Sequence, residues 1–197
     1  MTVDHVVSFL QLSKESGRHV MIYQERDDGH YTLPMRVRVK EEFTEGLPRE
    51  DGLVTLEFDR AYPQEIEALW LRTTPPSDKE AVTGIGYTGG MLSFAWGNFL
   101  SKTPRLAKIQ QGGPDFHGFE LMDGFNRNAI FRGASGGPIV DCYGAVVGVI
   151  SRVLLQEPAH TTRRIYEEYG IPLVREHANV WAVPTFPVAN RLIHKSD

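Results

Sequence analysis

Gly133-Ala134-Ser135-Gly136-Gly137-Pro138-Ile139-Val140-Asp141-Cys142-Tyr143-Gly144-Ala145-Val146-Val147-Gly148-Val149-Ile150-Ser151 reads as a glycine-rich loop followed by strand, tight turn and strand. Pro138 suits the first strand position, where its missing amide hydrogen does no harm. A serine hydroxyl attacks an acyl carbon well only if nearby backbone amides stabilise the oxyanion that develops. Glycines on both sides of Ser135 permit such a loop, with the Gly133 and Ser135 N–H groups as its donors. Two other readings compete: a serine in a plain glycine-rich β-turn, and the Gly-x-Ser-x-Gly elbow of α/β-hydrolases. The elbow must open a helix, and Gly136-Gly137-Pro138-Ile139-Val140 is a poor helix start.

Outward from this loop, short β-type runs recur with turn residues between them, at residues 19–23, 33–39, 53–58, 81–87, 119–122, 139–140, 145–150 and 180–183. This rhythm predicts an all-β chain of antiparallel barrels or sandwiches. In residues 53–58, Val54, Leu56 and Phe58 are expected on a buried face and Thr55 and Glu57 on a wet one. Helical signal is confined to residues 162–169 and 187–194; in the second, Pro187 suits a first turn, with Val188, Leu192 and Ile193 along one side. The polar, proline-rich Thr73-Thr74-Pro75-Pro76-Ser77-Asp78-Lys79 is the best linker and divides the chain into lobes at 1–76 and 77–197.

With 197 residues, 41% of them hydrophobic, the chain can bury a real core. Its net charge of −4, with Lys and Arg scattered among acids, offers no basic face for a phosphate backbone, so nucleic acid is not an expected partner. No apolar run approaches the roughly 20 residues of a membrane-spanning helix, so no membrane partner is expected. Cys142 is the only cysteine, which rules out an intramolecular disulfide and fits a cytoplasmic, bacterial-type setting. Thr2-Val3-Asp4-His5 lacks the basic start and apolar core of a signal peptide.

The motifs resemble those of the trypsin-like, chymotrypsin-fold serine peptidases, and within them the bacterial HtrA/Deg-type protease domain. The serine loop carries most of the likeness. Thr2-Val3-Asp4-His5-Val6-Val7 resembles the family's histidine motif, and Glu50-Asp51-Gly52-Leu53-Val54-Thr55-Leu56 its aspartate motif. Ala81-Val82-Thr83-Gly84-Ile85-Gly86-Tyr87 resembles the first strand of the second barrel, and Val180-Trp181-Ala182-Val183-Pro184 the last strand before a C-terminal helix. The resemblance implies two antiparallel β-barrel lobes, with His5 and Asp51 on the first and Ser135 on the second. Ser135 would be the nucleophile, His5 the general base and acid, Asp51 the residue orienting the imidazole, with Glu50 in reserve, and Gly133 and Ser135 the oxyanion donors. No cofactor is implied, and the substrate is a polypeptide. Because the chain ends soon after the C-terminal helix, no appended PDZ module is expected.

Two departures stand out. Ala134 precedes the serine where trypsin has an aspartate that pairs with a newly cut N-terminus, so activation by cleavage is not expected. Only four residues precede His5, where the family has strands ahead of its histidine, so an incomplete first lobe is expected. Three accounts remain open: strands lie upstream, a partner chain or second copy supplies them, or the lobe is rebuilt and turnover lost, leaving a binding or scaffolding protein.

The resemblance aligns Ala129 and Ile130 with the base of the primary specificity pocket and Ser151-Arg152-Val153 with its wall and the strand that pairs with substrate. With no acid at that base and Val153 narrowing the mouth, cleavage after small or medium aliphatic residues is expected. Ser151 is a further candidate to hydrogen-bond Asp51. Residues 154–179 form a long charged insertion, read as a lid, a partner-docking element or a solvated helix. Gly84-Ile85-Gly86-Tyr87-Thr88-Gly89 matches a dinucleotide fingerprint, but no acid occurs between Glu80 and Asp115 to bind a ribose. The histidines show no metal-ligand spacing. Trp70, Trp96 and Trp181 are expected as core or interlobe aromatics.

Overall fold

The strand at the heart of the N-terminal sheet, β4 (Leu53–Phe58), pairs antiparallel on one side with β1 (Thr2–Val3) and on the other with β3 (Met35–Phe43). In this computed structural model, which describes residues 1–11, 20–22, 35–44, 52–58, 68–88, 91–100, 116–125, 128–153 and 178–194, β2 (Val20–Ile22) completes an open sheet of order β1-β4-β3-β2. A six-residue helix, α1 (Asp4–Phe9), follows β1 directly and is held at its start by the Asp4 N–H, which donates to the Gly52 carbonyl at 3.1 Å.

β4 is not the one-sided strand that its alternation predicts. Leu53 and Val54 are both buried, while Phe58 is 44% exposed. The two faces serve different cores. Val54 packs with Val7, Val39 and Leu56 beneath α1. Leu53 joins Val3 and Phe43 in a cluster that continues into Phe116, Val149, Trp181 and Val183 of the C-terminal part. Burying these apolar faces together, at roughly 25 cal/mol per Å², is what holds the sheet against its neighbour.

The remaining strands, β5 (Ala81–Thr88), β6 (Met91–Leu100), β7 (His117–Met122), β8 (Pro138–Asp141), β9 (Val146–Val153) and β10 (Val180–Pro184), close an antiparallel barrel in the order β10-β7-β6-β5-β8-β9. Its interior is filled by Val82, Ala95, Phe99, Phe119, Leu121, Ile139, Val147 and Ile150, among others. Gly84 and Gly86 of the apparent dinucleotide fingerprint have packing roles here. A Cβ on Gly84 would lie 2.6 Å from Leu121 Cδ1, and one on Gly86 2.6 Å from the Ala134 Cβ.

The C-terminal helix α2 (Phe186–His194) follows β10 and buries Val188 in the cluster of Phe116, Val149, Trp181 and Val183. The Thr185 carbonyl accepts from the Val188 and Ala189 N–H groups, and its hydroxyl donates to the Val146 carbonyl at 2.8 Å, so one residue starts the helix and ties it to β9. Val188 and Ala189 are buried, whereas Leu192 and Ile193, expected on the same side, are 38% and 52% exposed. The connector into the barrel is bonded to β9 through Val146, which exchanges hydrogen bonds with Trp70 and Arg72. Arg72 also pairs with Glu80 and reaches Asp141.

Of the three tryptophans, only Trp181 is in a core. Trp96 is 55% exposed because it alternates with inward Ala95 on the outer face of β6, and Trp70 is 83% exposed on the connector. The predicted helix at 162–169 and the insertion through residue 177 lie outside the described residues.

Candidate active site

The serine loop consists of two successive tight turns. In residues 131–134 the Ala134 N–H donates to the Phe131 carbonyl at 3.1 Å, and in residues 134–137 the Gly137 N–H donates to the Ala134 carbonyl at 2.9 Å. The third residue of each has positive φ, +99° at Gly133 and +91° at Gly136. That combination defines a type II turn, which an L side chain at the third position strains. The spacing of the glycines around Ser135 is thus a local backbone requirement.

The turns are clamped from three sides. The Gly136 N–H donates to the Ile150 carbonyl and the Ile150 N–H to the Gly137 carbonyl, both at 2.8 Å, which docks the loop on β9. A Cβ on Gly137 would sit 2.2 Å from the Ile85 carbonyl, so the loop lies directly on β5. A Cβ on Gly136 would lie 2.7 Å from Thr2 Oγ1, which places β1, and with it the start of α1, against the serine loop. Ala134, nearly fully buried against Gly86, fills the space behind the serine.

Within this frame the amide groups divide into two sets. The N–H groups of Ala134, Gly136 and Gly137 all donate to backbone carbonyls. Those of Gly133 and Ser135 have no acceptor among the described residues. The type II geometry matters here. In a type I turn the third residue has φ near −90° and the central peptide plane is turned over, so that a carbonyl would replace the Gly133 N–H.

Ser135 is partly buried, and its hydroxyl donates to the Ser151 carbonyl at 3.2 Å. Ser151 is itself buried on β9. His5 is exposed on α1, three residues beyond Thr2. Asp51 and Glu50 lie outside the described residues, and so does a Ser151–Asp51 bond; Gly52, next in the chain, holds the start of α1 as described above. The structure therefore brings β1, the serine loop and β9 together.

Ile130 is buried in the barrel core, with Ala129 and Val153 packed partly against it. Arg152 places its Cζ 4.9 Å from the centroid of the Phe116 ring. The loop carrying Asn128 and Ala129 is held by a residue that the sequence did not single out. Asn179 accepts from the Leu121 N–H and donates to both the Leu121 carbonyl and Asn128 Oδ1, at 2.8, 2.6 and 2.7 Å. No local pattern marks such a residue, because its partners lie more than fifty positions away. Among the described residues no group of three His, Cys, Asp or Glu side chains could hold a metal ion, and no helix is long and apolar enough to cross a membrane.

No family model and no curated protein sequence matches this chain. Among solved structures, the apo MamO protease domain from Magnetospirillum magneticum matches with a TM-score of 0.52 at 14% identity, over 96% of this chain and 80% of that one. An inactive form of Rv3671c from Mycobacterium tuberculosis, carrying a serine-to-alanine mutation, matches with a TM-score of 0.51 at 17% identity, over 98% of this chain and 74% of that one. At such identities the likeness is one of architecture, and with the closed barrel and the C-terminal helix it establishes that this chain has the chymotrypsin-like fold of those protease domains.

Proposed function

We propose that this chain is a serine endopeptidase acting on polypeptides, with the unpartnered Gly133 and Ser135 amides as the observation that carries the reading. Two N–H groups aimed away from the protein's own carbonyls, flanking a serine hydroxyl, suit an acyl carbonyl whose oxygen becomes negative during attack. In this reading Ser135 Oγ attacks the carbonyl carbon, its proton passes to His5, and His5 returns that proton to the leaving amine. Asp51 holds the imidazole in the required tautomer, and water then hydrolyses the acyl-enzyme. Contact of β1 with the serine loop supports the role of His5, which lies on the helix that β1 leads into. Partly buried Ala129 and Val153 suit an apolar pocket and cleavage after small or medium aliphatic residues.

The lobes divide at 1–76 and 77–197, and the protein works in a cytoplasmic setting, with a second copy or partner chain as a candidate to extend the open N-terminal sheet. An HtrA/Deg-type relationship belongs to this same reading and rests on the motifs. A second reading, a protease-like binding or scaffolding protein, is favoured by one observation: the Ser135 hydroxyl donates to a carbonyl, a bond that must break before attack. Labelling the purified chain with a fluorophosphonate probe, with mass spectrometry of the modified peptide, separates the two. Modification at Ser135, lost in Ser135→Ala, supports the peptidase; a folded chain that takes up no probe supports the binding protein.

A further inference from the structure

The outer face of β5 and β6 is apolar where a sheet beside water is ordinarily polar. Along β6, Leu92, Phe94 and Trp96 point outward, alternating with inward Ala95, which is fully buried in the barrel. They are 54%, 44% and 55% exposed, and Met91 ahead of them is 72% exposed. Register carries the same face across two more strands: Ile85 of β5 lies opposite Phe94, Thr83 opposite Trp96, and Val140 of β8 beyond Thr83. None of these positions is charged. The face turns polar at one end, where Asn98 of β6 lies opposite Glu120 of β7.

At roughly 150–250 Å² for a whole large side chain, Met91, Leu92, Phe94 and Trp96 together expose on the order of 450 Å². A stable dimer buries about 800 Å² on each partner, of which about 55–65% is apolar, so this face supplies the apolar share of such an interface. Its pattern also fits its own copy. Leu92 and Trp96 stand about 13 Å apart along the strand, with Phe94 between them. A twofold axis through Phe94 sets the indole of each copy over the smaller Leu92 of the other. Near such an axis every residue approaches its own counterpart, so a charge there would repel itself, and the uncharged face avoids that cost. A lipid surface is a poorer match, because membrane-lying faces carry a fringe of Lys and Arg, and this chain has a net charge of −4. We propose that the outer face of β5 and β6 is a homodimer interface, on which two copies of this chain stack sheet on sheet with Phe94 near the axis. This inference goes beyond the peptidase reading and does not depend on it.

Sedimentation equilibrium on the full chain, from about 1 to 100 μM, reads the association directly. The expected result is a wild-type species of twice 22.2 kDa. Trp96→Glu raises the dissociation constant about a hundredfold, since each copy loses a buried anchor. Leu92→Lys acts in the same direction, and mixing the two variants restores association, because one Glu then faces one Lys while the other Trp96–Leu92 contact stays intact. Trp70→Glu, at an 83% exposed position on the connector, leaves the dimer unchanged. Far-UV circular dichroism checks the fold of each variant, and Trp96→Thr, which keeps a strand-favouring residue, replaces any that fails to fold. A wild-type monomer at the highest concentration overturns the proposal. So does a dimer that survives both Trp96→Glu and Leu92→Lys, which would assign association to another surface such as the open edge of the N-terminal sheet. Failure of the mixed variants to associate overturns the twofold arrangement. A monomer that floats with phosphatidylcholine vesicles, and ceases to in Trp96→Glu, overturns the second copy in favour of a lipid surface.

Discussion

Replacing His117 with phenylalanine should remove a specific part of this protein's sensitivity to acid. His117 opens β7, and its ring centroid lies 4.9 Å from that of Phe99, 5.9 Å from Phe186 of α2 and 6.5 Å from Phe119. Its Nδ1 atom is buried and has no hydrogen-bond partner among the described residues. Burial among these rings penalises the charged imidazolium and lowers the pKa from 6.5 to about 4. Because the folded value is the lower one, the unfolded chain takes up a proton below pH 6.5 while the native chain resists until about pH 4. The stability tied to the neutral ring is therefore present above pH 6.5 and lost progressively as the pH falls towards 4. Linkage between these two values gives a loss of about 2 kcal/mol from pH 7 to pH 5, and about 3 kcal/mol over the whole window.

A phenylalanine keeps a planar aromatic ring against these neighbours at the cost of a somewhat larger volume, does not titrate and leaves no orphaned nitrogen. His117→Phe should therefore match or exceed the wild-type stability at pH 7 and lose about 2 kcal/mol less than the wild type on going to pH 5. Urea unfolding at pH 7, 6 and 5, followed by tryptophan fluorescence with Trp181 as the buried reporter, measures the difference. Parallel stability-against-pH curves for the two proteins would refute the reasoning, since burial of His117 would then carry no proton linkage.

Two further substitutions test the frame of the site. Gly133→Ala puts a Cβ at φ +99° and 2.9 Å from the Tyr87 carbonyl, which should cost about 1–3 kcal/mol and favour turning the peptide over. If the Gly133 N–H serves as an oxyanion donor, probe labelling and any peptide hydrolysis fall by about 10²–10³-fold, and a rate within twofold of wild type would rule it out. Asn179→Ala leaves the Leu121 N–H and carbonyl without their side-chain partner inside the structure, at about 1–3 kcal/mol for each group that water does not reach. Urea titration showing a loss below about 1 kcal/mol would mean that neither group depends on the amide.

Local chemistry made part of the fold legible. Residues 53–58 were expected as a strand from their alternation and 81–87 from a β-type run between turn residues, and β4 and β5 occupy those places. β6 was missed because its outward positions, Leu92, Phe94 and Trp96, are as apolar as a core and its inward ones include Ala95 and Gly97. Such a strand carries no polar-apolar contrast to read. β1 has two residues and α1 six, too few for any period to register. The same limit explains Trp96, whose side of the sheet depends on the barrel closing around the other face.

The sequence by itself determined the conformation of the serine loop and the all-β character of the chain, because a type II turn is settled by residues three apart and glycine alone meets its positive φ without strain. Pro138 and the turn ending in Gly144, whose φ is +80°, likewise follow from single-residue restrictions. What only the tertiary structure decided is what meets that loop: Thr2 against Gly136, Ser151 beneath Ser135, Arg152 over Phe116, and Asn179 spanning Leu121 and Asn128. These contacts join distant parts of the chain and form only when the sheet and barrel bury their shared apolar face, which no local pattern encodes.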